Sequence, residues 1–403
     1  MMHKRYLRWL LFFCCITLVP AVALNLLVLK HEGDLESMSF AASDWQRATG
    51  GITFTPKLGG SWLFKTLRLN DQLAELDTVI FGSSTGMPID RSMMPPRWRM
   101  YNFTQTGSPF SASIAQAEYL VQHAPQIKHY IVALDWSLDW LLDGTIYHAR
   151  TIAPVDLSRP QRGKRIEDRN PPSLVAMLRE SVSYPRMEQL WEILGRVAKS
   201  PNPKKSFREH FLQLASDEYV CPNGIDKGKD FGVHNRGLCD GFRNDGSATF
   251  WGYGRIDDSN RLLLGALAHG SRYAKALERT QGAIDASQFS RLAALDRLIK
   301  RQGGQLILYI PPLMPGFDAG FARHPRFSSY LERTKRELAA WATANDAIVV
   351  DFGPSEKFGC ISGEFLDEHH ADGNCYRKIF SDFWQNGGIQ KKLADSARAN
   401  SGK

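Results

Sequence analysis

Asp77-Thr78-Val79-Ile80-Phe81-Gly82-Ser83-Ser84 is an apolar run that stops abruptly at Gly-Ser-Ser. Its β-branched and aromatic residues do not alternate with polar ones, so residues 77–82 read as a strand buried on both faces. Three further runs share this character: 129–135 (His-Tyr-Ile-Val-Ala-Leu-Asp), 305–310 (Gln-Leu-Ile-Leu-Tyr-Ile) and 347–352 (Ala-Ile-Val-Val-Asp-Phe). Residues 99–104 read as another strand. Between the strands lie helical patterns. Ser111 is placed to cap a helix to about 124 with Ile114, Ala117 and Leu120 on one face. Phe289, Leu292, Leu295 and Ile299 form an apolar stripe over 287–302, and Gly303-Gly304 ends it. Further helices are expected at 258–280, at 328–345 and from about Tyr376. Apolar strands alternating with amphipathic helices predict an α/β fold, a doubly wound parallel sheet covered on both faces. The four long strands are expected to be neighbours. Sites in such sheets lie at the carboxyl ends of strands, where Ser84, Asp135, Pro311 and the loop after Phe352 fall.

The rhythm breaks between residues 150 and 257. Eight prolines, from Pro154 to Pro222, and a basic stretch at Arg159, Arg162, Lys164 and Arg165 occupy this segment. Helical stretches near 173–198 are its main regular signal. It reads as a large insertion over the rim of the sheet. The expected organisation is 1–30, a basic tip and membrane anchor; 31–70, a connector with mixed turns; 71–149 and 258–403, the two parts of the α/β domain; and 150–257, the insertion. Arg243-Asn244-Asp245-Gly246 reads as a turn.

The anchor rests on charge and length. His3, Lys4, Arg5 and Arg8 precede an uncharged stretch from Trp9 to Leu29, with Lys30 and His31 after it. A bilayer-crossing helix needs about 20 such residues. The basic side is retained in the cytoplasm, which exports the chain beyond Lys30. A cleaved signal with Ala21-Val22-Ala23 at the cut is the alternative; the apolar run on to Leu29 favours the uncleaved anchor. The expectation is a single-pass inner-membrane protein with its C-terminal domain in the periplasm. Cys14 and Cys15 lie inside the span, which leaves Cys221, Cys239, Cys360 and Cys375 in the exported part. An even count there predicts two disulfides. Three pairings are possible; proximity favours Cys221–Cys239 and Cys360–Cys375. No Cys-x-x-Cys pair points to zinc.

The chain of 403 residues is 43% hydrophobic and 23% charged, a globular rather than disordered balance. Its net charge of +8 suits an acidic envelope polymer or lipid headgroups, and no nucleic-acid motif accompanies it.

The chemistry-bearing residues lie at the two ends of the α/β pattern. Ser84 follows the first strand, and Asp367-Glu368-His369-His370 lies between Cys360 and Cys375 near the last. A serine hydroxyl becomes a nucleophile when a base takes its proton. His370 is suited to that task, and Asp367, one turn away, to fixing its tautomer. These three residues are expected to meet in space. Donors for a developing oxyanion are the Ser84 amide and Gly107. His369 and Ser83 are expected to be bystanders. Glu364, Asp367, His369, His370 and Asp372 are the residues of an alternative, metal-binding reading, but no matching ligand set appears elsewhere.

These motifs resemble those of the SGNH (GDSL-like) hydrolase superfamily, within it the membrane-anchored, exported acyltransferase-like branch that includes alginate O-acetyltransferases and teichoic acid D-alanyl transfer proteins. Gly82-Ser83-Ser84 is similar to the Gly-Asp-Ser block, with Ser83 where Asp is usual. Tyr101-Asn102 through Gly107 is similar to the block that contributes an oxyanion glycine, and Asp367-x-x-His370 to the last block. Ile310-Pro311-Pro312 and Val350-Asp351-Phe352 are similar to later strands. The likeness covers roughly 75–140 and 300–385. It departs where the family carries Gly-x-Asn-Asp: here the strand ends Ala133-Leu134-Asp135-Trp136, and an ionised carboxylate accepts but does not donate. Asp135 is therefore assigned either to substrate binding or to capping the segment after it. The resemblance implies an SGNH/flavodoxin-like fold and an acyltransferase or esterase acting on an envelope exopolysaccharide. It also implies O-acetylation chemistry, no cofactor and a membrane-bound acyl-donor protein as possible partner. A plain acyl hydrolase and a non-catalytic scaffold of an exopolysaccharide assembly are the competing expectations.

Overall fold

The computed structural model describes residues 2–53, 62–108, 110–136, 138, 174–207, 211, 241–249, 264–265, 268, 286–317, 325–386 and 389. The chain divides into two compact units, residues 1–42 with 161–217, and residues 43–160 with 218–403.

The second unit holds the sheet. Five strands, β1 (Thr78–Phe81), β2 (Met100–Asn102), β3 (His129–Ala133), β6 (Gln305–Ile310) and β7 (Ile348–Asp351), pair in the order β2-β1-β3-β6-β7, all parallel. The four long apolar runs are thus neighbours, as their two-sided burial predicts. The chain leaves β1 for β2 on one side and returns to β3 on the other, so β1 and β3 flank the point where the winding reverses.

Alternation along each strand feeds two cores. Val79, Phe81, Tyr130, Val132, Leu306 and Leu308 face one layer. There they meet α3 (Phe110–His123), α7 (Ala286–Arg301) and α8 (Pro325–Ala344) through residues such as Leu120, Leu295 and Leu338. Ile80, Ile131, Ile307 and Tyr309 face the other layer, against Ile379, Phe380 and Phe383 of α9 (Gly373–Gln385). Each such side chain contributes about 1.5–3 kcal/mol on burial. Asp372 starts α9 by accepting from the amides of Asn374 and Cys375 at 2.8 and 3.1 Å.

Within the expected connector 31–70, helix covers the residues up to Thr49 and those from Trp62, while 54–61 lie outside the described residues. Helix α1 runs from Met2 to Thr49, and α2 covers Trp62–Gln72. The described part of the expected 150–257 insertion is divided between the two units. Helices α4 (Leu174–Ser181), α5 (Tyr184–Lys199) and α6 (Pro203–Phe207) belong to the first unit, and a hairpin, β4 (Gly241–Phe242) and β5 (Ala248–Thr249), to the second. The hairpin is closed by the turn Arg243–Gly246. Gly246 has φ +79°, and a Cβ there would meet Asn102 O at 2.3 Å, so the turn needs glycine.

Among the described residues no helix is long and apolar enough to cross a membrane, so the expected span is not borne out. The part of it nearest Leu29 has protein neighbours. Leu24 and Val28 of α1 meet Leu190, Ile193 and Val197 of α5, and Asn25 Nδ2 donates to Ser181 O at 2.8 Å. Cys221, Cys239, most of 258–280 and most of the segment after Asp135 lie outside the described residues.

Lys65 of α2 is 1% exposed. Its ammonium donates to Asn102 O at 3.0 Å and Thr104 O at 2.6 Å and lies 4.8 Å from the centre of the Phe242 ring. Burial outweighs the opposing charge of Asp245 and pushes the pKa down from 10.5 to about 7. The unfolded chain therefore holds this proton where the folded chain has released it. Stability attributable to Lys65 should rise with pH from about 7 towards 10, by at most about 1.4 kcal/mol per pH unit. Urea unfolding at several pH values should show this slope in the wild type relative to Lys65→Met. Parallel profiles for the two proteins would refute it.

Candidate active site

Gly82 ends β1 with φ +144°, and a Cβ there would lie 2.5 Å from Ala133 Cβ. Only glycine allows the chain to turn this close to β3. The turn delivers Ser84 to the start of a single 3-10 turn, Ser84–Gly86, whose bonds run from Gly86 N to Ser83 O and from Met87 N to Ser84 O. The Ser84 and Thr85 amides precede the first donor of that turn, as at any helical N-terminus.

Ser84 Oγ lies 2.8 Å from His370 Nε2. His370 Nδ1 lies 2.7 Å from Asp367 Oδ2 and 2.9 Å from Oδ1. The structure thus brings together Ser84, His370 and Asp367 across a sequence separation of 286 residues. The ring carries its Nδ1 proton towards the carboxylate, which leaves Nε2 to accept from the serine hydroxyl.

The loop that carries the histidine is closed at several levels. Cys360 and Cys375 form a disulfide, one of the two expected. Inside it, Asp372 N donates to Glu364 O at 2.7 Å and Leu366 N to His370 O at 2.8 Å. Met314 N, in the loop after β6, donates to Glu368 O at 3.0 Å. Asp367 Oδ1 also accepts from the His369 and His370 amides at 3.0 and 2.9 Å, so the carboxylate is held by its own turn. Burial alone would raise the Asp367 pKa. The His370 ring hydrogen bond, the His370 and His369 charges and the His369 amide outweigh it, and hold this carboxyl well below the usual carboxylate range. A depressed folded pKa gives stability that is present above the unfolded pKa and lost as pH falls through the folded one. The stability difference between wild type and Asp367→Asn should shrink as pH falls below about 4. A difference measured by urea unfolding that grows on acidification would contradict this.

His369 is no member of this chain of bonds. Its Nδ1 stands 3.5 Å from Asp367 and 3.8 Å from Glu368, and its ring packs 5.8 Å from Trp136. Asp367, His369 and His370 offer ligand atoms within 4.8 Å of one another. A divalent ion among them would compete with Ser84 or Asp367 for the two His370 nitrogens, so the alternative metal reading and the hydrogen-bonded array exclude each other. Glu364 instead meets Lys378 at 2.8 Å, and Asp372 caps α9. Ser83 Oγ turns to Thr85 Oγ1 at 3.2 Å.

Gly107 lies in the loop after β2, with φ +66° and no atom within 4 Å of a built Cβ. Gln105 N donates to Gly82 O at 3.0 Å, which runs this loop beside the Ser84 turn, two residues before Gly107. Asp135 is half-buried at the end of β3, and its carbonyl accepts from Leu138 N at 3.0 Å. Residues 137 and 139–142, the segment it was expected to cap, lie outside the described residues.

In sequence, Asn102 stands out only as part of its block. Its buried Nδ2 donates to Gly86 O at 2.9 Å and Ile89 O at 2.8 Å, and Thr104 N donates to its Oδ1 at 3.0 Å. One side chain ties the turn after Ser84 to the loop leading to Gly107. Tyr376 adds a second tie, donating to Thr85 O at 2.6 Å. Neither bond has a signal in local sequence; the partners lie in separate blocks.

No family model matches the chain, and neither the curated proteins nor the solved structures yield a match.

Proposed function

We propose that this chain is a serine-dependent acyltransferase or esterase of the SGNH type, acting on esters of a cell-envelope polysaccharide. The observation that supports this reading is the unbroken array Ser84 Oγ–His370 Nε2 at 2.8 Å and His370 Nδ1–Asp367 at 2.7 Å. In this reading His370 takes the Ser84 proton as Ser84 Oγ attacks an acyl carbonyl. The alkoxide leaves with that proton, and the acyl group stays on Ser84. A sugar hydroxyl or water then attacks, gives its proton to His370, and the ring returns it to Ser84. Asp367 stays ionised and holds the ring. The Ser84 and Gly107 amides are the proposed oxyanion donors, and Asp135 a substrate contact. The acyl donor is proposed to be a membrane-bound protein, and transfer rather than hydrolysis rests on the resemblance and the anchor.

The same reading attaches the chain to the inner membrane through residues 9–29, with the sheet-bearing unit on the periplasmic side. The charge step from His3, Lys4, Arg5 and Arg8 to the uncharged stretch supports it, as does an exported-type disulfide at Cys360–Cys375.

A fluorophosphonate probe on the purified full chain tests the enzyme reading. One adduct, mapped to Ser84, is expected. A folded protein that takes no label would favour the non-catalytic scaffold. Incubation with an acetyl donor and a carbohydrate acceptor then separates transfer from hydrolysis by product.

A further inference from the structure

The first unit exposes apolar surface in an ordered way. Val175 and Leu178 of α4 and Val182, in the turn just after it, recur at 3-4 spacing and are 75%, 40% and 50% exposed. In α5 the protein-facing stripe is Leu190, Ile193 and Val197; Tyr184 and Trp191 lie off it, seven residues apart on one face, and are 80% and 69% exposed. An amphipathic helix normally buries its apolar stripe, and exposed patches of this kind mark an interaction site.

Two observations identify the occupant. The first is continuity with α1 in the same unit. Trp9, Phe12, Ile16 and Val19 fall on one α1 face and are each at least half exposed. Asn25, bonded to Ser181 O and Met187 Sδ, fixes the α4–α5 corner six residues further along, about 9 Å at 1.5 Å per residue. The α4–α5 corner therefore sits where the exposed apolar part of α1 ends. The second is composition: Trp and Tyr beside aliphatic residues, with Arg179, Arg196 and Lys199 exposed around them, match an interfacial layer with anionic headgroups. Glu188, between Tyr184 and Trp191 on that face, is exposed and fits the headgroup level rather than the hydrocarbon.

We infer that the α4–α5 corner lies in the interface of an anionic lipid bilayer, beside the end of the α1 anchor, with Trp191, Tyr184, Val175, Leu178 and Val182 facing lipid. This rests on the membrane attachment proposed above. The full chain is reconstituted in phosphatidylglycerol vesicles, plain or brominated near the headgroup end of the acyl chains. Trp191 is isolated as the difference between wild type and Trp191→Phe, a change at an exposed site. The difference signal should be quenched about twofold or more by bromine, as for an interfacial tryptophan. If the remaining tryptophans are quenched and the Trp191 signal is not, the α4–α5 corner faces water or protein, and this inference falls while the anchor stands. If the chain does not bind the vesicles, both fall.

Discussion

Ser84→Ala should reduce fluorophosphonate labelling to background and lower turnover of an activated ester by several orders of magnitude, up to about 10⁶-fold, without changing the urea midpoint by more than about 0.5 kcal/mol equivalent. The substitution removes one half-buried oxygen whose partner is His370 Nε2. His370→Ala should be about as damaging, because the members of such an array act as a unit. Asp367→Asn should lose about 10⁴-fold, since the ring survives with the wrong tautomer. Ser83→Ala and His369→Ala should stay within a few fold of wild type. Ser83 Oγ bonds Thr85 rather than the base, and His369 stands outside the chain of short bonds. Essential Ser83 with dispensable Ser84 would mean that the wrong serine is assigned. If both serines are dispensable and a chelator abolishes activity, the Asp367–His369–His370 cluster is a metal site instead.

Opening the Cys360–Cys375 bridge should separate loss of the site from loss of the fold. The bridge closes 15 residues that carry both Asp367 and His370. A cross-link over a loop of that size contributes about 3 kcal/mol, mostly by restricting the open chain. What remains in its absence is local: the Asp372–Glu364 and Leu366–His370 backbone bonds and the Met314–Glu368 tether. The nucleophile and base transfer a proton efficiently only within about 2.6–3.2 Å, and a displacement of about 1 Å costs on the order of 10²-fold. Cys360→Ser with Cys375→Ser should therefore slow Ser84 labelling by about 10²-fold, and labelling should vanish at lower urea than the loss of secondary structure. Coincident midpoints for labelling and unfolding in the double variant would show that the bridge does not hold the base independently of the fold.

The strands and most helices of the sheet-bearing unit are legible in the sequence because burial writes itself into local pattern. Val79, Ile80 and Phe81 have no polar neighbour to expose, so a strand covered on both faces is the simplest solution, and the order of helices and strands implies a parallel sheet. The pair Asp367 and His370 is legible for a similar reason: three residues in one turn share a face whatever surrounds them. The disulfide follows from proximity and an even count. Legibility ends where structure depends on partners distant in sequence. The helical continuation of α1 through residues 31–49 carries no strong apolar stripe of its own. Residues 241–249 form their hairpin beside β2, with Asn102 N donating to Asp245 O at 2.7 Å, a contact no local pattern announces. Lys65 reads as an ordinary surface lysine until α2 buries it under two carbonyls of the loop after β2. Residue type and order alone establish which side chains have the chemistry of a nucleophile, base and orienter. That they meet is a matter of packing: Gly82 must turn against Ala133, Asn102 must clamp the turn after Ser84, and the bridged loop must bring His370 to within 2.8 Å of a serine 286 residues away. Proton transfer depends on that distance, and distance between remote residues is set by the whole fold rather than by any local stretch of chain.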